Sequence, residues 1–241
     1  MSDMLLKLEG VHAHIGAYHI LHGVDLQVPR GQLTMLLGRN GAGKTTTLRT
    51  IMGLWQASQG RITFHGEDIT RLHTPAIAAL DIAYVPENMG IFADLTVKEN
   101  MLLAARQARH ARDMDEERLQ WIFQLFPAVE KFWNHPAGKL SGGQKQMLAV
   151  SRAIVEPRRL LIVDEPSKGL APVMIDNMIT AFEQLKASGV TILLVEQNIH
   201  FAKRLGDRVA VMDDGRVVHA GTMQALAEDE VLQQSLLGLA L

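Results

Sequence analysis

LTMLLGRNGAGKTTTL, residues 33–48, decides the fold. Leu33 to Leu37 read as a short strand, the glycine-rich loop follows, and Leu48, Ile51, Met52 and Leu54 then recur at helical spacing until Gly53 and Gly60 loosen the pattern. Strand, glycine loop and helix in that order open an α/β nucleotide-binding unit. Gly38-Arg39-Asn40-Gly41-Ala42-Gly43-Lys44-Thr45 also fits G-x-x-x-x-G-K-[ST]. In such a loop the glycines let the backbone wrap closely around phosphates, and the amides at the helix start, continuing to Thr46, face the anion. Lys44 reaches the terminal phosphates and the Thr45 hydroxyl binds Mg²⁺. A glycine turn that only caps a helix would require neither the Lys-Thr pair nor this flanking pattern.

A fold of this type needs a carboxylate at the end of a neighbouring strand to hold the magnesium. LLIVDEPSKGLAP, residues 160–172, delivers two: Asp164 for the metal, and Glu165 one residue further, where a carboxylate can accept the proton of a water attacking the γ-phosphate. Four apolar residues leading into a doubly acidic turn suit a ligand better than a pair of solvated loop acids.

Size and composition agree with one globular unit of one or two lobes: 241 residues, 47% apolar and 21% charged. The formal net charge of −2, without a long Lys or Arg run, gives no electrostatic footprint for nucleic acid or an anionic membrane. The absence of cysteine excludes disulfides and thiolate metal sites and points to a reducing cytosol. The opening MSDMLLKLEG is too short in apolar residues for a signal peptide, and no run reaches the ~18 apolar residues of a membrane span.

Strand-like runs also occur at LLKLEG, VDLQV, RITFHG, RLLIVD and VTILLVE. The middle, from about Asp94 to Pro157, is helical in pattern: TVKENMLLAARQARH, DEERLQWIFQLF and SGGQKQMLAVSRAIV. Charged RQARHARDMDEER within it reads as a solvated helix junction. PVMIDNMITAFEQLKAS is a further helix, RVAVMDDGRVVHAG a hairpin turning at Asp213-Asp214-Gly215, and Met223 to Leu239 an amphipathic end. The ten histidines offer no metal spacing: His12 and His14 alternate on a strand, and His19 and His22 lie three apart near a turn.

Between the two phosphate-site stretches lies LSGGQKQ, Leu140 to Gln146, ahead of an apolar helical face. Ser141 is a good N-cap, and Gly142 and Gly143 leave the first helical amides open, so the stretch is either a second anion-binding helix start or an ordinary capped helix. LSGGQ ahead of LLIVDEP, with GRNGAGKT upstream, resembles the ATP-binding-cassette ATPases along essentially the whole chain. The resemblance implies an α/β P-loop NTPase with a mostly parallel RecA-like sheet, an N-terminal antiparallel β part and an inserted helical lobe. The nucleotide-binding lobe is then 1–86 and 158–241, and the helical signature lobe 87–157.

In that family two cassettes pair head to tail, so Ser141, Gly142, Gly143 and Gln144 would press on the γ-phosphate held by the partner cassette, whether a copy or a second protein. The helical lobe would dock on integral membrane permease subunits at the cytoplasmic face. The segment YVPENMGIFADLTVKENM, which joins the lobes, would sense nucleotide and permease. VPENMGIF, LTVKEN, DEPSKGLAP and VEQN look most like the ATP-binding subunit of branched-chain amino acid importers, the smaller of their two cassettes. The implied activity is Mg-dependent ATP hydrolysis driving import of branched-chain or related amino acids. Other solutes (urea, amides, aromatic acids) need only a different permease. Cassette ATPases of nucleic acid or ribosomes tend to carry paired cassettes, coiled-coil insertions or basic arms, none of which is present here. A module that binds ATP without turnover is the third reading.

Four positions depart from the family pattern. Ile15 stands where an aromatic usually stacks on adenine, with Tyr18 nearby as a substitute or a plain surface tyrosine. Glu87 replaces the lobe-joining glutamine, keeping a ligand for metal or water but adding negative charge near a triphosphate. Gln197 replaces the histidine after the next strand, keeping a donor for the γ-phosphate without a charge. The branched-chain subgroup often shows Glu87 and Gln197. Lys168 stands where that subgroup often has leucine. The expected catalytic set is therefore Glu165, Gln197 and Lys44, and the expected magnesium set Thr45, Asp164 and Glu87.

Overall fold

A computed structural model describes residues 4–106 and 108–237. Two long strands, β1 (Met4–Ile15) and β2 (Tyr18–Pro29), pair antiparallel and lead into β3 (Leu33–Gly38) and helix α1 (Lys44–Ile51). Then come β4 (Ala57–Phe64), β5 (Glu67–Asp68), α2 (Thr74–Ala79) and β6 (Ile82–Val85). Helices fill the middle: α3 (Val97–Ala104), α4 (Glu116–Leu125), α5 (Pro127–Lys131) and α6 (Gly142–Ile154). The alternation resumes with β7 (Leu160–Asp164), α7 (Pro172–Ala187), β8 (Thr191–Val195), α8 (Ile199–Leu205), β9 (Arg208–Asp213) and β10 (Arg216–Thr222), and closes with α9 (Met223–Glu228) and α10 (Glu230–Leu237).

Six strands form one sheet in the order β10-β9-β3-β8-β7-β6, parallel except for the β9–β10 hairpin. The other four form an antiparallel sheet, β2-β1-β4-β5. This is the mixed architecture expected from the cassette resemblance. β3, β7 and β8 are buried along their whole length, which is why they read as continuous apolar runs rather than alternating ones. Their residues nonetheless divide by period two. Leu36, Leu160, Ile162, Leu193 and Val195 enter the core that includes the antiparallel sheet. Leu33, Met35, Leu37, Leu161, Val163 and Leu194 enter the core shared with the helices, which runs on without interruption to Met101 of α3, Ile122 of α4 and Met147 of α6.

Differences from the sequence reading have local causes. α1 stops at Ile51, and Gly53 (φ 66°) turns the chain away. Gly60 lies inside β4, not in a helix, and is glycine because a Cβ there would run into the Gly10 carbonyl of the neighbouring strand. Strand β6 was not anticipated: four residues, Ile82–Val85, are too short a run to stand out. α3 ends at Ala104, well before the end of TVKENMLLAARQARH, and a single 3₁₀ turn at Ala111–Asp113 precedes α4. Within the charged junction Arg106 is more than a solvated residue, since it donates to Glu156 (2.9 Å), Asp81 (3.1 Å) and the Ala78 carbonyl (3.1 Å). The hairpin turns as expected, at Asp214 (φ 41°) and Gly215 (φ 70°). The amphipathic end is two helices broken at Asp229, and its residues 238 and 239 lie outside the described residues.

Candidate functional site

The glycine loop between β3 and α1 has the form of an anion cradle. Gly43 is the N-cap of α1, with φ 100° and no side chain to cap the helix, so the first-turn amides are left facing outward. Gly38 cannot carry a side chain, because a Cβ would collide with the Met212 carbonyl of β9. The loop is pinned from behind: Ala42 accepts from Gly215 N–H (3.0 Å), and Gly215 in turn accepts from His22 N–H (2.9 Å). The Lys44 ammonium curls into the loop, donating to the carbonyls of Gly38 (2.8 Å) and Arg39 (3.0 Å). It is buried, and desolvation pushes its pKa down against the opposing pull of Glu165 and Asp164.

Asp164 ends β7 with no exposed surface. Burial raises its pKa to about 6; the Thr45 hydrogen bond opposes the shift, Glu165 and Glu87 add to it, and Arg49 opposes it. Its Oδ1 has no hydrogen-bond partner among the described residues, while Tyr84 Oη stands 3.5 Å from Oδ2. Burial and the Asp164 charge push the Tyr84 phenol up to about 12. A buried, unpaired carboxylate oxygen beside a threonine hydroxyl and below a glycine cradle fits a hard divalent cation.

Glu165 follows with φ 49°, a left-handed conformation that costs energy in a non-glycine residue and turns its side chain off the strand direction. The carboxylate, 8% exposed, is addressed on both oxygens. Oε1 accepts from Gln197 Nε2 (2.5 Å) and faces Lys44 Nζ (3.9 Å), while Oε2 faces Lys168 Nζ (3.4 Å). Gln197 Nε2 also donates to Asn40 Oδ1 (2.8 Å), which links the loop after β8 to the cradle. Glu87 is 44% exposed and pairs with Lys168 (2.5 Å). The structure thus brings Lys44, Thr45, Asn40, Asp164, Glu165, Glu87 and Gln197 together.

The sequence alone assigns no role to Glu196, Tyr84 or Arg49. Glu196 is buried: Oε1 accepts from Ser167 N–H (2.9 Å), and Oε2 from the amides of Gln197 (3.0 Å) and Asn198 (3.1 Å). It therefore fixes the loops after β7 and β8 to each other, and burial still raises its pKa despite those bonds. The signal was present in VTILLVE, since an acid closing a buried apolar strand is the pattern that identified Asp164.

Ser141, Gly142, Gly143 and Gln144 stand apart from the cradle: no hydrogen bond or ion pair among the described residues joins them to it. Ser141 and Gln144 form a capping box on α6, Oγ accepting from Gln144 N–H (3.3 Å) and Gln144 Oε1 from Ser141 N–H (2.9 Å). Gly142 is exposed, and Gly143 packs so closely on the end of Met174 that a Cβ would displace it. Ile15 closes β1 opposite Tyr18, which is 76% exposed. Beside them His12, His14, His19 and His22 cluster across the two strands, with His12 Nδ1 3.0 Å from His19 Nε2, the His14 and His19 rings parallel at 4.2 Å and the His22 ring tilted against His19.

Comparison with known proteins supplies the context for this geometry. The family description "ABC transporter" matches residues 21–168. The chain is similar to the high-affinity branched-chain amino acid transport ATP-binding protein BraG of Pseudomonas aeruginosa, 38% identical over 97% of this chain and 100% of the relative. It is also similar to the probable branched-chain amino acid transport ATP-binding protein LivF of Archaeoglobus fulgidus, 34% identical over 98% and 99%. Among solved structures it resembles the ADP conformation of MJ1267, an ATP-binding cassette of an ABC transporter, at a TM-score of 0.81 and 25% identity, covering 98% and 99%. The dimeric bacterial cassette MJ0796 gives 0.79 at 25% identity, covering 90% and 98%. No helix among the described residues is long and apolar enough to cross a membrane. The chain belongs to the ABC transporter family and is one of its ATP-binding, ATP-hydrolysing cassettes.

Proposed function

We propose that this cassette binds MgATP between the Gly38–Thr46 loop and the acids ending β7, and that its hydrolysis drives import of branched-chain or related amino acids. The observation that carries the site is the buried, unpartnered Oδ1 of Asp164 next to Thr45. These two would hold the magnesium, with Glu87 near enough to act through water. The ion would neutralise charge on the phosphates when bound. Lys44 and the open first-turn amides of α1 hold the phosphate chain, exchanging the loop carbonyls that now occupy the ammonium for phosphate oxygens. Glu165 accepts the proton of the attacking water. Gln197, already in contact with its Oε1 and with Asn40, keeps that carboxylate aimed and presents an amide donor to developing charge.

The single chain supports the reading that Ser141 to Gln144 act on a partner's nucleotide, because they sit on a different element from the cradle and their own capping box is complete. We infer a head-to-tail pair, with 1–86 and 158–241 as the nucleotide lobe and 87–157 as the helical lobe. A cleft of about 1010 Å³ opens along the lobe-joining segment, between Arg49, Trp55, Tyr84, Glu87, Met89 and Arg152, and is the place for a permease element. The segment is tied down at its middle, since Asn100 bonds Phe92 N–H (3.0 Å) and the Phe92 carbonyl (2.9 Å), and Arg152 donates to the Gly90 carbonyl.

The similarity to BraG and LivF favours branched-chain amino acids as the solute. The test is reconstitution in proteoliposomes with the permease subunits and binding protein of a branched-chain amino acid importer, measuring leucine-stimulated ATP hydrolysis and uptake for wild type and Glu165→Gln. Turnover in the variant should fall by about 10² to 10⁴. Stimulation by urea or aromatic acids but not leucine would reassign the solute. Full turnover in the variant would remove Glu165 as the base.

A further inference from the structure

We propose that Lys168 is a positioning residue for the hydrolytic step: its ammonium clamps the Glu165 carboxylate to Glu87, so that the aim of Glu165 depends on where the lobe-joining segment stands. The inference rests on the reading of Glu165 as the base. Lys168 is the residue at which this chain leaves the pattern of its subgroup, and it is not a loose surface lysine. Its loop is anchored on one side by Ser167 N–H to the buried Glu196 (2.9 Å) and closed on the other by Lys168 N–H to the Glu165 carbonyl (3.2 Å). From that fixed backbone the ammonium meets Glu87 Oε1 at 2.5 Å and Glu165 Oε2 at 3.4 Å.

Charge makes the arrangement more than a surface ion pair. Asp164, Glu165 and Glu87 place three carboxylates at one end of the sheet, the last two adding to the cost that burial sets on ionising Asp164, and Lys44 is the cation on the cradle side. Lys168 supplies the cation on the opposite side. Glu165 then has one oxygen facing each ammonium, with Gln197 completing the set, and its carboxylate plane is defined by three contacts from three separate loops. The two carboxylates, acting together, hold the Lys168 ammonium firmly in its charged form. A movement of the 86–90 segment that shifts Glu87 therefore either breaks the Glu87–Lys168 pair or draws the ammonium away from Glu165 Oε2.

The experiment is a double-mutant cycle between Lys168→Met and Glu87→Gln in the full chain, with Lys168→Arg as the conservative variant. ATPase kcat and KM, MgADP affinity by fluorescent-nucleotide titration, and melting temperature are read for each. If Lys168 positions the base, Lys168→Met lowers kcat by about 3- to 30-fold with MgADP affinity and melting temperature little changed, and Lys168→Arg recovers most of the rate. Lys168→Met then costs less in the Glu87→Gln background than in the wild type, whatever Glu87→Gln costs by itself. If the lysine only balances charge near the triphosphate, the loss appears in MgADP affinity, leaves kcat intact and is reversed by Glu87→Gln; that result overturns the proposal. An inactive Glu165→Gln together with a Lys168→Met as fast as wild type would also overturn it while leaving the base assignment standing. An active Glu165→Gln would overturn both.

Discussion

Asp164→Asn should stabilise the nucleotide-free protein while removing its response to MgADP. Burial holds the Asp164 carboxyl at about 6 instead of 3.8. That gap corresponds to about 3 kcal/mol by which the folded chain disfavours the charged form relative to the unfolded one. The sign follows from linkage. Above pH 6 the carboxylate is ionised in both states and the full cost is present. As pH falls from 6 toward 3.8 the folded state takes up its proton first and the cost disappears. Asparagine carries no such charge at any pH, keeps a comparable shape beside Thr45 and leaves only a neutral carbonyl unpaired where Oδ1 now lies.

The variant should therefore melt higher than wild type at pH 7.5 to 8.5, by at most ~6–12 °C for a chain of this size. The difference should shrink toward zero as pH approaches 4. Differential scanning calorimetry in EDTA, without nucleotide, reads this directly. MgADP at a hundred times its dissociation constant should then stabilise wild type by about 2.7 kcal/mol and the variant by far less. A variant that melts at or below wild type at pH 8, or a gap that does not change with pH, would refute the view of Asp164 as a buried acid whose charge the folded chain disfavours.

Gln197→Ala should lower turnover by about 10² to 10³, the loss expected for one positioned donor, with nucleotide affinity nearly unchanged; steady-state kinetics beside MgADP titration separates the two. Ile15→Tyr should tighten ATP binding by about 2- to 10-fold by adding the ~0.5–1.5 kcal/mol of an aromatic stack, read by competition against GTP. Ser141→Ala breaks the α6 capping box and should cost about 1 kcal/mol of stability in the monomer, measured by urea melts, beyond any loss of turnover in the dimer. His12 has its pKa lowered by desolvation and then by His19, Arg216, His22 and His14. The unfolded chain therefore protonates first as pH falls below 6.5, and stability is lost there. His12→Gln should flatten that part of the melting-temperature profile, an effect opposite in sign to that of Asp164.

What could be read from sequence follows from how much each feature depends on local chain chemistry. The cradle's pattern is local, since Gly38, Gly43, Lys44 and the strand and helix around them are contiguous, although the backbone that forbids a side chain at Gly38 belongs to Met212 of β9. Asp164 and Glu165 were legible because a fully buried strand has to end where its acids begin. The short β6 was not, since four residues with a half-exposed Tyr84 carry no period to detect, and so the phenol facing Asp164 was missed. Glu196 shows the limit more sharply. Its position closing β8 was visible, but its work lies with Ser167, twenty-nine residues earlier and brought near only because β7 and β8 are neighbours in the sheet.

Lys168 lies at the far end of that scale. In the sequence it is one residue out of pattern in a loop, and Glu87 is another departure eighty-one residues away. Neither substitution alone says that the other matters, because their pairing needs the β6–β7 neighbourhood and the backbone anchor that Glu196 gives the loop. Once β6 and β7 lie side by side, the segment leaving β6 and the loop leaving β7 emerge at the same edge, and an added carboxylate and an added ammonium there become one interaction. A residue that departs from a family pattern is therefore best judged against its spatial neighbours, since the same lysine on a loop without Glu87 opposite would have only Glu165 to hold.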